Sequence, residues 1–253
     1  MARPLVISHR GANKYAPQNT LPAFKKSVEI GTDGFETDVH ITKDGEIAIC
    51  HNYTIDETST GKGKIAEMTL SQLKKFDFGS YFSKKYEGTE LPTLDEFLTF
   101  VETTDIEVLN IEIKSPKENE TEIVKKTIEK VKEHGLFDKL LISSFDPELL
   151  LEAKMIDINC KTGFLYSPKS PTTPKMFWRA VEYAKSLGCD ALHPYFLFVT
   201  EKYVKEAHEA GIKVNPWTVN MPEAIDKMLR LGVDGIITDL PDVVNRMSER
   251  YYD

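Results

Sequence analysis

The amino-acid sequence predicts an α/β fold, a (β/α)8 TIM barrel with a small insertion in the second βα loop. Three observations carry this reading. Short apolar runs alternate eight times with stretches of helical periodicity, the pattern by which parallel strands joined through helices close into a barrel. No G-x-G-x-x-G follows the first strand candidate, so nothing supports the competing doubly wound open sheet. Polar residues able to do chemistry gather at the C-terminal ends of strand candidates, where barrels of this class place their working groups.

The strand candidates are 4–8, 34–40, 107–113, 140–144, 161–166, 190–195, 212–218 and 234–239. Amphipathic helix candidates lie between and after them, at 19–31, 93–103, 120–134, 146–156, 174–187, 200–210, 222–231 and 241–251. Asn19 or Thr20 can cap the first helix, Thr93 the second, and Asp146-Pro147-Glu148 places proline in a first turn. Gly31, Gly135, Gly188, Gly211 and Gly232 stand where helices should stop. One stretch breaks the rhythm. About fifty residues separate the second strand from the helix at 93, with a turn at Thr42-Lys43-Asp44-Gly45, a short strand closing on His51 and a helical segment from Leu70 to Phe76. A loop that long in a compact domain is usually functional. It reads as a hairpin extension plus an insertion at about 52–90 over the barrel mouth, within a single domain spanning 1–253.

Composition narrows the class. A chain of 253 residues with 41% apolar content can bury a large core, and its net charge of −8, without any basic stripe, argues against nucleic acid as a partner. Cys50, Cys160 and Cys189 lie far apart with no CxxC, which fits a reducing compartment. No apolar run reaches the ~18 residues a membrane span needs, so the expectation is a soluble, cytoplasmic enzyme without stable membrane insertion. G-x-S-x-G, P-loop and H-E-x-x-H motifs are all missing, which removes serine-hydrolase, nucleoside-triphosphatase and zincin readings. The oligomeric state is not legible.

The chemistry is concentrated early. Leu5-Val6-Ile7-Ser8 ends in His9-Arg10-Gly11, and Gly34 to His40 contains Glu36 and Asp38 two residues apart. Alternate strand residues share a face, about 7 Å apart; paired carboxylates there repel unless a cation or proton neutralises them. In Val108-Leu109-Asn110-Ile111-Glu112-Ile113-Lys114 a carboxylate and an ammonium interrupt an otherwise apolar run. Three carboxylates without a thiolate or a histidine pair suit magnesium, calcium or manganese, with water completing the shell. Arg10 can fork onto a phosphate oxygen and Lys114 can supply a point charge. His9 and His51 offer a base for a nucleophile and an acid for an alkoxide. Such a set suits cleavage of a phosphodiester. His40 shares the face of Glu36 and Asp38, while His193, Tyr195 and Trp217 end later strands, with Trp217 able to cover the organic part of a substrate. His134 and His208 fall on helices and read as solvent-facing.

His9-Arg10-Gly11, Ala16-Pro17-Gln18-Asn19-Thr20, Glu36-Thr37-Asp38-Val39, Thr42-Lys43-Asp44-Gly45, His51 and Glu112-Ile113-Lys114 together resemble the glycerophosphodiester phosphodiesterases. The resemblance implies hydrolysis of a small-molecule glycerophosphodiester to an alcohol and glycerol 3-phosphate. It implies one divalent cation, magnesium or calcium, on Glu36, Asp38 and Glu112, and His9 and His51 as the acid–base pair. Three positions depart from the family's usual pattern: Gln18 in place of glutamate in PENT, Asn52 in place of aspartate after His51, and Glu57 where arginine is expected. Two further readings stand beside this one. A phospholipase or sphingomyelinase D-like cleavage would need an apolar rim, and a catalytically weakened phosphodiester-binding barrel would not need both histidines.

Overall fold

Nine strands and nine helices among the described residues follow the expected alternation in this computed structural model, which describes residues 2–114, 122–169 and 179–252. The strands are β1 (Leu5–His9), β2 (Gly34–Ile41), β3 (Ile47–Ile49), β4 (Val108–Ile113), β5 (Leu140–Ser144), β6 (Lys161–Tyr166), β7 (Ala191–Pro194), β8 (Lys213–Val214) and β9 (Gly235–Thr238). The helices are α1 (Leu21–Ile30), α2 (Leu70–Leu73), α3 (Leu94–Val101), α4 (Ile123–Glu133), α5 (Pro147–Ile156), α6 (Ala180–Ser186), α7 (Glu201–Glu209), α8 (Pro222–Leu231) and α9 (Pro241–Tyr252). The beginnings of the helix candidates at 120–134 and 174–187 lie partly outside the described residues.

All strands but β3 run parallel, in the order β8-β7-β6-β5-β4-β2-β1-β9. The last gap is bridged by Asp234 N donating to Val214 O, Ile237 N to Pro216 O and Val219 N to Ile237 O, all at 3.0 Å. The eight strands therefore form a nearly closed barrel. β8 is shorter than the expected 212–218. Pro216 has no N–H to give the ladder, and beyond it the neighbouring strand segment is met only by a bridge between Tyr195 and Trp217.

Strand alternation sorts the side chains. Phe35, Val39, Leu109, Ile111 and Ile113 belong to the apolar layer between barrel and helices. There Phe24 of α1 packs against Phe35 and against Phe97 of α3, with centroids 5.4 and 4.3 Å apart. Truncating a fully buried ring such as Phe97 to alanine would cost about 3–5 kcal/mol. Glu36, Asp38, Asn110 and Glu112 take the alternate positions and point into the barrel.

Helix ends follow local chemistry. Thr93 and Glu96 form a capping box on α3, Asp146 caps α5 through Glu148 N, and α1 and α8 stop at Gly31 and Gly232 with φ of 83° and 67°. Thr20 occupies the N-cap of α1 without a side-chain capping bond. Its hydroxyl donates to Pro17 O instead, and Asn19 is drawn to the barrel interior.

β3 pairs antiparallel with β2 as the expected hairpin. The chain from 52 to 90 carries α2, shorter than the expected 70–76, and its Ile55, Ile65, Leu73 and Phe78 form a separate small apolar cluster with the flanking Ala48, Cys50 and Leu91. Ile49 N donates to Pro92 O at 2.9 Å, so the two ends of this segment lie side by side. Its aromatic tips reach the loop after β1: Gln18 N donates to Tyr81 Oη at 3.1 Å and Tyr86 Oη to Tyr15 O at 2.9 Å. No helix among the described residues is long and apolar enough to cross a membrane.

Candidate active site

The site is built where β1, β2 and β4 end side by side. Register aligns His9 with Glu36, Glu36 with Asn110, and Asp38 with Glu112. Donor oxygens of Glu36, Asp38 and Glu112 consequently all lie within 4.8 Å of one another, on buried side chains. The shared face expected for the three carboxylates is present.

After β1 the chain turns through Arg10 and Gly11, with φ of 57° and 75°. A Cβ on Gly11 would sit 2.8 Å from the Ala23 backbone, so only glycine fits that turn. Arg10 N donates to Glu36 Oε2 at 3.0 Å, its guanidinium donates to Gln18 Oε1 at 2.6 Å, and its Nε lies 3.4 Å from Asp38 Oδ2. Asn19 donates to Asp38 Oδ2 at 2.8 Å and accepts from Thr37 Oγ1 at 2.9 Å. Lys114 reaches Asp38 Oδ1 at 2.7 Å and also bonds Glu112. Amide and cations thus hold Asp38 from both sides.

Electrostatics separate the three acids. Burial alone would raise the Asp38 pKa, but Lys114 and then Arg10 outweigh it and hold the carboxyl well below the usual range. Glu36 goes the other way, pushed well above its ordinary value by burial and then by Asp38 and Glu112. Glu112 rises to about 7, because burial and Asp38 exceed the pull of Lys114. Burial lowers Lys114, but Asp38 and Glu112 overcome it and raise the ammonium above its usual pKa. Three buried carboxylates thus crowd two protein cations, and Glu36 and Glu112 respond by favouring their protonated forms. Converging hard oxygen donors that otherwise need a proton to relieve their repulsion fit a divalent cation.

The histidines stand in different company. His9 Nδ1 meets Asp239 Oδ1 at 2.6 Å, and Asp239 also accepts from Asn13 and Asn220, each at 2.6 Å. Burial and then Arg10 lower the His9 pKa while Asp239 opposes them. For Asp239, burial is outweighed by His9 and the amides, and its pKa falls below the usual range. His51 Nδ1 meets Asn52 Oδ1 at 2.5 Å, and Asn52 Nδ2 donates to Glu57 Oε2 at 2.6 Å. Glu57 can only accept, so it turns the amide oxygen of Asn52 toward His51, whose Nδ1 then carries the proton. Burial lowers His51 to about 4, with Asp38 opposing.

A cavity of about 130 Å³ brings together His9, Arg10, Glu36, His51, Glu112 and Trp217. Lys114 lines a wider adjoining cavity of about 540 Å³ with His51 and Glu112. Trp217 is held by its Nε1 donating to His193 O at 2.7 Å and meets Phe145 edge-on at 5.5 Å. The remaining histidines fall elsewhere. His40 bonds His51 O at 3.2 Å and packs edge-on against Tyr53, behind the site. His193 is fully buried and accepts from Asn215 at 3.2 Å. The solvent-facing expectation for His134 is corrected: its ring bonds Glu102 at 2.6 Å and lies 3.3 Å from Asp95, and its side chain is 17% exposed. Asp239, Asn13 and Asn220 were missed by sequence reasoning, and Asn19 was read as a helix cap rather than as the partner of Asp38. An aspartate directly after the last strand, which neighbours the first in a closed barrel, was the available signal for Asp239.

Residues 9–243 match the Glycerophosphoryl diester phosphodiesterase family. A glycerophosphodiester phosphodiesterase of Caldanaerobacter subterraneus subsp. tengcongensis is 37% identical over 242 residues, covering 96% of each chain. An Oleispira antarctica phosphodiesterase, solved in complex with the product sn-glycerol-3-phosphate, superposes with a TM-score of 0.87 at 30% identity over 97% of each chain. A glycerophosphodiester phosphodiesterase from Thermotoga maritima gives a TM-score of 0.78 at 29% identity, over 98% of this chain and 99% of that one.

Proposed function

The chain belongs to the glycerophosphoryl diester phosphodiesterase family, and on that premise we propose that it hydrolyses glycerophosphodiesters to an alcohol and glycerol 3-phosphate, using a divalent cation and a histidine acid–base pair. The observation that carries the reading is the convergence of Glu36, Asp38 and Glu112, two of which, Glu36 and Glu112, line a cavity walled also by His9 and His51.

Glu36, Asp38 and Glu112 would hold the cation, magnesium or calcium, which when bound offsets charge on the phosphate oxygens. Arg10 and Lys114 add fixed positive charge beside it, and Trp217 bounds the cavity that takes the organic part of the substrate. Asp239 favours the imidazolium of His9, which suits donation of a proton to the departing alkoxide. His51, backed by an amide and held neutral by burial, suits the base that takes a proton from the nucleophile, whether water or the substrate's vicinal hydroxyl. General acid and base groups contribute about 10²–10⁴-fold each.

The test is release of glycerol 3-phosphate from glycerophosphocholine by purified protein. Release that stops on chelation and returns with magnesium or calcium supports the reading; no release with either metal refutes it.

A further inference from the structure

Asn110 is buried to 1% exposure, and its amide oxygen meets no donor among the described residues. Strand register sets it level with Glu36 and one inward-facing position below Glu112, about 7 Å deeper along β4. From there it lines the narrow cavity of about 130 Å³. Most of the other lining groups fall into two sets. His9, Arg10, Glu36, His51 and Glu112 belong to the proposed proton-transfer, anion and metal machinery. Leu165 and Ile237 are apolar, and Trp217 already donates its N–H to His193 O at 2.7 Å. An acceptor buried without a donor is costly in such surroundings, so the amide of Asn110 marks a place where a ligand hydroxyl can be received.

Resting on the phosphodiesterase reading, we propose that Asn110 receives the terminal hydroxyl of the glycerol arm and thereby selects glycerol over diols that lack it. The glycerol arm of the diester carries two free hydroxyls. The vicinal one stays next to phosphorus, whereas the terminal one lies farthest from it and can descend to Asn110. A hydroxyl both donates and accepts, and a carboxamide answers both needs. Without that hydroxyl the amide stays buried and unpaired in the complex, which is how a polar site rejects a ligand lacking one group.

The test compares kcat/KM for glycerophosphocholine with that for its analogue built on propane-1,2-diol, at saturating magnesium. The two share headgroup, phosphate and vicinal hydroxyl and differ only in the terminal one. A preference of about 10²-fold for the glycerol diester is expected in the unaltered protein, a comparison that needs no variant to fold. In Asn110→Leu, which keeps the branched shape without the polar atoms, the preference should vanish or reverse. Magnesium affinity of that variant, by calorimetric titration, should be unchanged. Equal rates on the two diesters in the unaltered protein would overturn the subsite with the phosphodiesterase reading intact. A preference that survives in Asn110→Leu would overturn it as well. So would a tenfold loss of magnesium affinity in that variant, which would assign Asn110 to the metal instead. Hydrolysis of neither diester would overturn both readings.

Discussion

Asp239 accepts a hydrogen bond from His9 Nδ1 at 2.6 Å across 230 residues of chain. The contact exists because the barrel closes: β9 lies beside β1 in register, Ser8 against Thr238, so His9 at the end of β1 meets Asp239 just after β9. Asn220 fixes the carboxylate from the other side and accepts from Asp239 N at 2.9 Å. An aspartate held in this way orients the imidazole and favours its protonated form.

Replacing Asp239 with asparagine should lower kcat by roughly 10²–10⁴-fold with little change in KM. The high-pH limb of the rate profile should move to lower pH, because the acid loses the charge that holds its proton. Steady-state kinetics across pH would show this; an unchanged kcat and profile would leave Asp239 a purely structural residue.

Glu36, Asp38 and Glu112 are expected to hold one cation together. Glu36→Gln or Glu112→Gln should weaken magnesium or calcium binding at least tenfold by calorimetric titration while the barrel stays folded. Binding of unaltered strength in both variants would move the metal elsewhere.

His193 provides a stability test apart from the site. Burial alone lowers its pKa to about 3, so the native state keeps it neutral while the unfolded chain takes up a proton near pH 6.5. A depressed pKa contributes stability that is complete above pH 6.5 and lost as pH falls toward 3, at up to about 1.4 kcal/mol per pH unit. His9, His40 and His51 add to the same trend. Urea unfolding of His193→Gln should show a shallower loss between pH 6.5 and 4.5. An identical pH dependence would contradict a neutral buried imidazole.

The barrel and much of its mouth were legible in the sequence, for a physical reason. Strand periodicity alone puts Glu36 and Asp38 on one face, and helix periodicity with glycine stops marks the connections, since both depend on neighbours in the chain. Asp239, Asn13 and Asn220 depend instead on which strands meet at closure, which no local pattern encodes. Asn19 is a further case: its residue type reads as a helix cap, yet a buried anion at Asp38 makes the stronger claim on its amide. His134 read as exposed because its place at the end of α4 is polar, but acids from α3 and the loop after it reach across to it.

We propose that residues 52–90 are an insertion that shapes the site without being needed to fold the barrel. The apolar cluster they form with Ala48, Cys50 and Leu91 is distinct from the main core, and Ile49 already pairs with Pro92 beneath them. Joining residues 51 and 91 through a short glycine linker should leave a cooperative thermal transition and raise KM at least tenfold. A chain that no longer unfolds cooperatively would show the segment to be integral to the barrel.

The paired-histidine mechanism is the centre of the account, and alanine replacement tests it most directly. His9→Ala and His51→Ala should each lower the rate of glycerol 3-phosphate release by roughly 10²–10⁴-fold, with metal affinity largely retained. The bell-shaped pH profile should lose the limb belonging to the missing residue. Near-normal turnover by either well-folded variant would contradict the mechanism.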